Sequence, residues 1–288
     1  MPKSIRVRRW FSTSGEEATE LREKWIPGIE ANEEEPGWDP ERNPSAIVEI
    51  ARERVQLDVL GPLKSGKEAT VYVCRASGTT GVRLVAAKLF RDLTTRGFRN
   101  DAVYRAGRNF GRERLNRAYN KGLLDPGLRL SLWVGAEFEA LHRLHRVGAD
   151  VPRPLLVSSR WMLMDFVGND QGPAPMLARV KLTAEEAAAT FERIMRNMRL
   201  FLSCDIIHGD LSAFNVLWWQ GAPRIIDFPQ AVDPRTNPNS FDLLTRDARI
   251  IGTYFSRYGV GSDSVLRVMS DWEDYLRGRL AKPTPRES

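Results

Sequence analysis

HGDLSAFNVLWW, residues 208–219, is the stretch on which the reading of this chain turns. Asp210 and Asn215 are separated by four residues, and Val216–Trp218 follow at once as an apolar run fit for a short strand. QGAP, residues 220–223, marks a turn. RIID, residues 224–227, is a second short strand, and Asp227 closes it twelve residues after Asn215. Taken singly, Asp210 reads as a cap and Asp227 as a turn residue. Set together behind one apolar strand, they read as a functional loop.

Working outward, the segment before the loop is a helix. Thr183 with Glu186 three residues later forms a capping box, and Phe191, Ile194, Met195, Met198, Phe201 and Leu202 share one apolar face. Further upstream the pattern predicts strands at 57–62, 69–76 and 83–90, with a turn at SGTTG. A helix near 131–147 and strands at 155–158 and 161–167 follow. Beyond Asp227, FDLLTRDARII opens the helices that finish the chain. Strands first and helices later predict an α+β protein. Residues 46–54 read as a helix leading into the first strand. Residues 1–45, a basic start followed by the acidic ANEEEPGWDPERNP, read as an extended arm with one short helix around 15–25. The tail AKPTPRES, 281–288, reads as disordered.

Composition sets the outer limits. A chain of 288 residues is long enough for two lobes with a substantial core. No apolar run reaches the length needed to cross a bilayer, and MPKSIRVRRW has no signal-peptide core, so a cytoplasmic protein without a membrane partner is expected. Cys74 and Cys204 lie far apart, which predicts neither a disulfide nor a zinc site but two small buried hydrophobes. A net charge of +6 permits an anionic partner such as RNA, and is equally common in proteins that bind none.

The chemistry is carried by three stretches. The spacing of Asp210 and Asn215 matches the catalytic loop of protein kinases. There the Asp must face the hydroxyl that attacks the γ-phosphate, the Asn must turn towards Mg²⁺, and a carboxylate at Asp227 can take the second metal role. VAAK, residues 85–88, ends an apolar strand and makes Lys88 the candidate α/β-phosphate lysine. Its partner would be Glu137 or Glu139 in SLWVGAEFEALHRL. GPLKSGKEATVY, residues 61–72, comes close to a P-loop, G-x-x-x-x-G-K-[ST], but has Glu68 where Mg²⁺ needs a hydroxyl. In the kinase frame G-x-G-x-x-G-x-V, ending on Val71, the glycine positions hold Lys64, Gly66 and Ala69. A serine, a lysine and one glycine then face the phosphates: Ser65 and backbone amides as donors, Lys67 as charge.

These pieces resemble the RIO family of atypical serine/threonine protein kinases. The resemblance rests on SGKEATVY, AAKLF, Trp133–Phe138, LMDFVG, GNDQGPAP, HGDLSAFNVL and IIDFPQAVD, in the family's order over roughly residues 57–260. It implies a compact bilobal protein-kinase-like fold: an N-lobe over 46–167 with an antiparallel sheet, and a mostly helical C-lobe over 168–280. No long activation segment is expected, and the sequence has no A-P-E triplet. It implies ATP and Mg²⁺, with Mn²⁺ as an alternative ion, and a non-specific serine/threonine protein kinase that also phosphorylates itself. Asp210 would be the catalytic base, Asn215 and Asp227 the metal ligands, Lys88 the phosphate lysine and Glu137 its partner. Met164, Asp165, Phe166 and Val167 would form the adenine hinge. In some members the metal-binding Asp is phosphorylated in an ATPase cycle, which makes Asp227 an acyl-phosphate candidate. Residues 98–122 resemble a flexible basic loop of one branch, a candidate contact for RNA or a ribosomal particle. Gly209 and Ala213 stand where many members have Ala and Glu. Two other readings remain: a kinase-shaped ATPase switch acting in assembly, and a small-molecule phosphotransferase of the aminoglycoside type.

Overall fold

A computed structural model of the chain describes residues 7–9, 56–66, 68–78, 81–91 and 123–285. The helix expected at 46–54, the rest of the arm, Lys67, the basic stretch 98–122 and the last three residues lie outside the described residues. The chain divides into two units. The first holds residues 1–96, 126–135 and 154–173, and the second holds 97–125, 136–153 and 174–288.

In the first unit, β-branched and aromatic residues alternating with polar ones produce a six-stranded sheet. Its order is β1 (Val7–Arg9), β2 (Gln56–Ser65), β3 (Ala69–Gly78), β4 (Gly81–Phe90), β6 (Trp161–Asp165), β5 (Pro154–Val157). All pairings are antiparallel except β1 with β2, which is parallel. One sheet face carries the core: Leu57, Val59, Cys74, Ala76, Val85, Leu155, Trp161 and Leu163 are buried there, with Tyr72, Ala87 and Leu89 packed against them. Strands β3 and β4 run further into SGTTG than the sequence pattern suggests, because the ladder continues to Gly78 opposite Gly81. After β6 the chain makes a small hairpin, β7 (Gly168–Asn169) and β8 (Gly172–Pro173). Gly168 has φ of 151°, and a Cβ there would come within 2.5 Å of the Gly172 carbonyl oxygen and 2.7 Å of the Phe166 ring, so glycine is required.

Helix α1 (Pro126–Arg146) starts five residues before the periodic pattern does, with proline at its first position, where the missing amide costs nothing. The second unit adds α2 (Ala184–Ser203), the hairpin β9 (Val216–Trp219) and β10 (Ala222–Ile225), α3 (Ser240–Phe255) and α4 (Ser264–Leu276). The capping box of α2 forms in both directions: Glu186 N donates to Thr183 Oγ1 at 3.2 Å, and Thr183 N donates to Glu186 Oε2 at 2.9 Å. All six residues of its expected apolar face are buried. The α+β class is thus the one observed. Both cysteines are free and buried; burial, then the charge of Asp58, pushes the Cys74 thiol up to about 12. Among the described residues, no helix is long and apolar enough to cross a membrane.

A buried carboxylate ties β10 to α2. Asp150 accepts from Arg193 Nε at 2.7 Å and Nη2 at 2.6 Å, from Asn197 Nδ2 at 2.7 Å and from Arg224 Nη1 at 3.4 Å. Its carbonyl accepts the Ile225 amide at 2.7 Å, which fixes the end of β10. Burial alone would raise this carboxyl, but the hydrogen bonds from Arg193 and Asn197 and the charges of Arg193 and Arg224 outweigh it and hold it below 3.8. Asp150→Ala should therefore cost about 2–4 kcal/mol in chemical denaturation, discounted because both arginines reach solvent. A depressed carboxylate contributes fully above its unfolded value, so this stabilisation should be present above pH 3.8 and vanish as the pH falls through the lowered value. A wild-type and an Ala variant with the same acid profile would remove Asp150 from this role.

Candidate active site

In the second unit, the loop before β9 is held almost entirely through its backbone. Ile207 and Val232 exchange amide bonds at 3.0 Å and anchor its entry. His208, Leu211, Ala213 and Asn215 are buried, whereas Asp210 is exposed. Gly209 has φ of 79°, a conformation glycine adopts without cost. His208 Nε2 lies 3.1 Å from the Ile226 carbonyl and its Nδ1 lies 3.2 Å from the Asp210 amide. A carbonyl can only accept and an amide can only donate, so the neutral Nε2–H tautomer satisfies both. One imidazole thus locks the backbone beside Asp210 to the backbone beside Asp227.

Asn215 supplies the second lock. Its Nδ2 donates to the Asp210 carbonyl at 2.9 Å and to Asp210 Oδ2 at 3.3 Å, and its own carbonyl accepts the Ile226 amide at 2.9 Å. An amide with its nitrogen used this way has its oxygen to offer a cation. The third lock is Glu137, whose Oε1 accepts the Phe228 amide at 3.2 Å. The Phe228 ring is buried against Phe201 and His208, with centroids 5.5 and 4.5 Å away. Asp227 therefore sits between two neighbours whose backbones are fixed. It has φ of 73°, a left-handed value that Asp tolerates better than most residues, and β10 already ends at Ile225. The structure brings Asp210, Asn215, Glu137 and the backbone on either side of Asp227 into one hydrogen-bonded assembly; Glu139 on the same helix is exposed.

Sequence reasoning missed Asp247, on α3. Its Oδ2 accepts the Gly209 amide at 2.8 Å, and the neighbouring Arg246 guanidinium donates to the Gly209 carbonyl. The available signal was an acidic residue inside an apolar helix face, Leu243, Leu244, Ala248 and Ile251. Burial pushes the Asp247 carboxyl up to about 7, against Arg246 and the Gly209 and Leu211 amides, which pull it down. A carboxyl raised by folding contributes stability that is complete below its unfolded value of 3.8 and is lost as the pH rises through about 7. Asp247→Asn should flatten this dependence in denaturation curves taken across that window. Asp247→Ala should cut turnover about 10–100-fold, since it frees the loop that carries Asp210. Unchanged kinetics in the Ala variant would mean the loop is set elsewhere.

In the first unit, Lys88 lies on β4 between Val71 of β3 and Met162 of β6; it is 5% exposed, with Nζ 5.1 Å from the Phe90 ring centroid. Met164 is buried opposite Ala86, and Asp165 pairs with Arg83 at 3.7 Å; Phe166 and Val167 follow half-buried. Gly66 donates its amide to the Ala69 carbonyl at 2.9 Å, closing the hairpin turn. Ser65 is placed unexpectedly. Cross-strand partners share a sheet face and consecutive residues alternate. Thr70 pairs with both Ser65 and Leu89, and Leu89 follows Lys88, so the Ser65 hydroxyl lies on the face opposite the Lys88 side chain. There it accepts from Arg91 Nη2 at 2.7 Å.

Hard oxygen donors from one carboxylate and one amide, Asp227 and Asn215, fit Mg²⁺, which takes one or two carboxylates and fills its other positions with water and phosphate. Among the described residues, no group of three or more His, Cys, Asp or Glu side chains is placed for a metal.

The family model of the RIO domain matches residues 70–267. The serine/threonine-protein kinase RIO1 of Caenorhabditis elegans is 33% identical over 213 residues, covering 74% of this chain and 40% of that protein. The serine/threonine-protein kinase RIO3 of Homo sapiens is 36% identical over 138 residues, covering 48% of this chain and 26% of that protein. The matched regions thus span well under half the length of these relatives. A crystal structure of the Rio2 kinase–ADP/Mg²⁺–phosphoaspartate complex from Chaetomium thermophilum aligns with a TM-score of 0.49 at 21% identity, covering 77% of this chain and 71% of that one.

Proposed function

Because the chain belongs to the RIO-domain family, we propose that it transfers the γ-phosphoryl group of ATP to serine and threonine hydroxyls of proteins, its own among them. The observation that carries the proposal is the hydrogen-bonded assembly of Asp210, Asn215 and the Ile226–Phe228 turn. Asp210 is exposed on a backbone held by His208 and Asn215, and takes the proton of the incoming hydroxyl. Asn215 and Asp227 hold Mg²⁺. The bound ion would neutralise charge on the phosphate oxygens. Glu137 keeps the metal turn in place through the Phe228 amide, and Lys88 pairs with the α/β-phosphates. Met164–Val167 receive the adenine. Gly66 and Lys67 serve the phosphates through the turn's shape and charge, with Ser65 acting on that shape from the far face.

The partner proposal rests on residues 98–122. They carry seven basic residues, Arg99, Arg105, Arg108, Arg112, Arg114, Arg117 and Lys121, interleaved with Phe98, Tyr104, Phe110 and Tyr119. That composition suits RNA phosphates and bases, and such binding should weaken steeply with salt.

One incubation with γ-labelled ATP and Mg²⁺ tests the central proposal. Label on serine or threonine supports it. Label on Asp227, or released only as free phosphate, favours the ATPase switch instead. No label transfer and no hydrolysis with either Mg²⁺ or Mn²⁺ would overturn both.

A further inference from the structure

We infer that Arg91 is a positioning residue that braces the phosphate hairpin from the sheet face opposite Lys88, and thereby sets how strongly the chain favours a triphosphate over shorter nucleotides. The inference rests on the kinase reading given above. Arg91 is the first residue beyond β4. Its amide donates to the Glu68 carbonyl at 2.8 Å. Its guanidinium donates to Ser65 Oγ at 2.7 Å and Thr70 Oγ1 at 3.3 Å, and the two hydroxyls lie 3.3 Å apart. One residue thus holds the end of β2, the start of β3 and the turn that joins them.

The sequence explains why a brace is needed. Two of the three glycine positions of the kinase frame hold Lys64 and Ala69, so this hairpin cannot wrap a phosphate by backbone freedom. It must have its shape beforehand. A hairpin with a fixed turn spends less conformational entropy when a ligand docks. Both bonds leave one nitrogen, Nη2, whose two hydrogens have fixed directions in the guanidinium plane, whereas a lysine ammonium swings on a flexible stem. The braced residues are those of the turn, so the effect falls on the outer phosphates and not on the adenine.

Titration calorimetry of the full chain with Mg²⁺ and ATP, ADP or AMP tests this, together with amide hydrogen exchange at the hairpin. Arg91→Ala and the Ser65→Ala/Thr70→Val double variant should each weaken ATP about tenfold, equivalent to ~1.4 kcal/mol. ADP should weaken less and AMP not at all, and exchange at the hairpin amides should quicken. Arg91→Lys should recover only part of the loss. An equal loss for all three nucleotides, no loss, or full rescue by lysine overturns the inference. If Arg91→Ala does not fold, the double variant carries the test. A wild-type chain that binds none of the three overturns the kinase reading and the nucleotide preference with it; unchanged exchange in the variants overturns the brace itself.

Discussion

Asp227→Asn should lower Mg²⁺-dependent phosphoryl transfer by about 10³-fold or more while leaving the melting temperature nearly unchanged. The substitution is unusually clean because of local geometry. Asp227 has φ of 73°, and asparagine accepts that conformation as readily as aspartate, so no backbone strain is added. The neighbours stay pinned, Ile226 by His208 and Asn215 and Phe228 by Glu137. What changes is one negative charge at the ion. Asp227→Ala would mix that loss with strain, which makes it the poorer probe. Asp210→Ala should by contrast leave ATP affinity nearly intact, since in the proposed role that carboxylate would act on the incoming hydroxyl. Initial rates over a Mg²⁺ titration, paired with thermal melts, decide the matter. An Asp227→Asn chain that keeps about a tenth of the rate at saturating Mg²⁺ would take Asp227 out of the metal role.

Lys88→Met should cost about 10²–10³-fold in transfer, and Lys67→Ala less than about tenfold. Lys88 is pinned by ladders on both sides and nearly fully buried, so in the proposed role its ammonium would meet the phosphates already oriented. Methionine keeps the volume and removes the charge. Were 61–72 a P-loop, the order of the two losses would reverse, and Glu68→Ser would gain activity by supplying the missing hydroxyl. Steady-state kinetics on the three variants separate the cases, and a dominant loss at Lys67 would end the kinase assignment of this hairpin.

How much of this was legible beforehand depended on the range of the interaction involved. The α2 capping box spans three residues and the Asp210–Asn215 pair five, and both were visible as spacing. Glu137 is buried where Glu139 is exposed, and its partner, the Phe228 amide, lies 91 residues away, beyond any local pattern. The Arg91–Ser65 bond spans 26 residues and the Gly209–Asp247 bond 38, and no local pattern encodes such a pairing. The face on which Ser65 lies followed from strand register, which two bulges in β2 make unreadable from alternation alone. Boundaries slipped for a simpler reason. Helix α1 begins at Pro-Gly, a pair that reads as a turn, and β7 and β8 are too short to carry any periodicity.

The bond from Gly209 to Asp247 also has a consequence for biosynthesis. A nascent chain synthesised as far as Asn215 contains the whole of HGDLSAFN, yet the carboxylate that grips Gly209 is still untranslated. The Glu137–Phe228 bond likewise waits on a partner 91 residues downstream. Vectorial synthesis therefore completes the sheet of the first unit well before the loop of the second can be held, since long loops close late and domains fold as units from the amino terminus. On the proposed reading, ribosome-stalled chains ending before Asp247 should carry the motif without the grip on Gly209 and transfer phosphate at least about 10–100-fold more slowly. The order of translation would thus act as a safeguard, holding back the proposed chemistry in copies that have not yet reached Asp247.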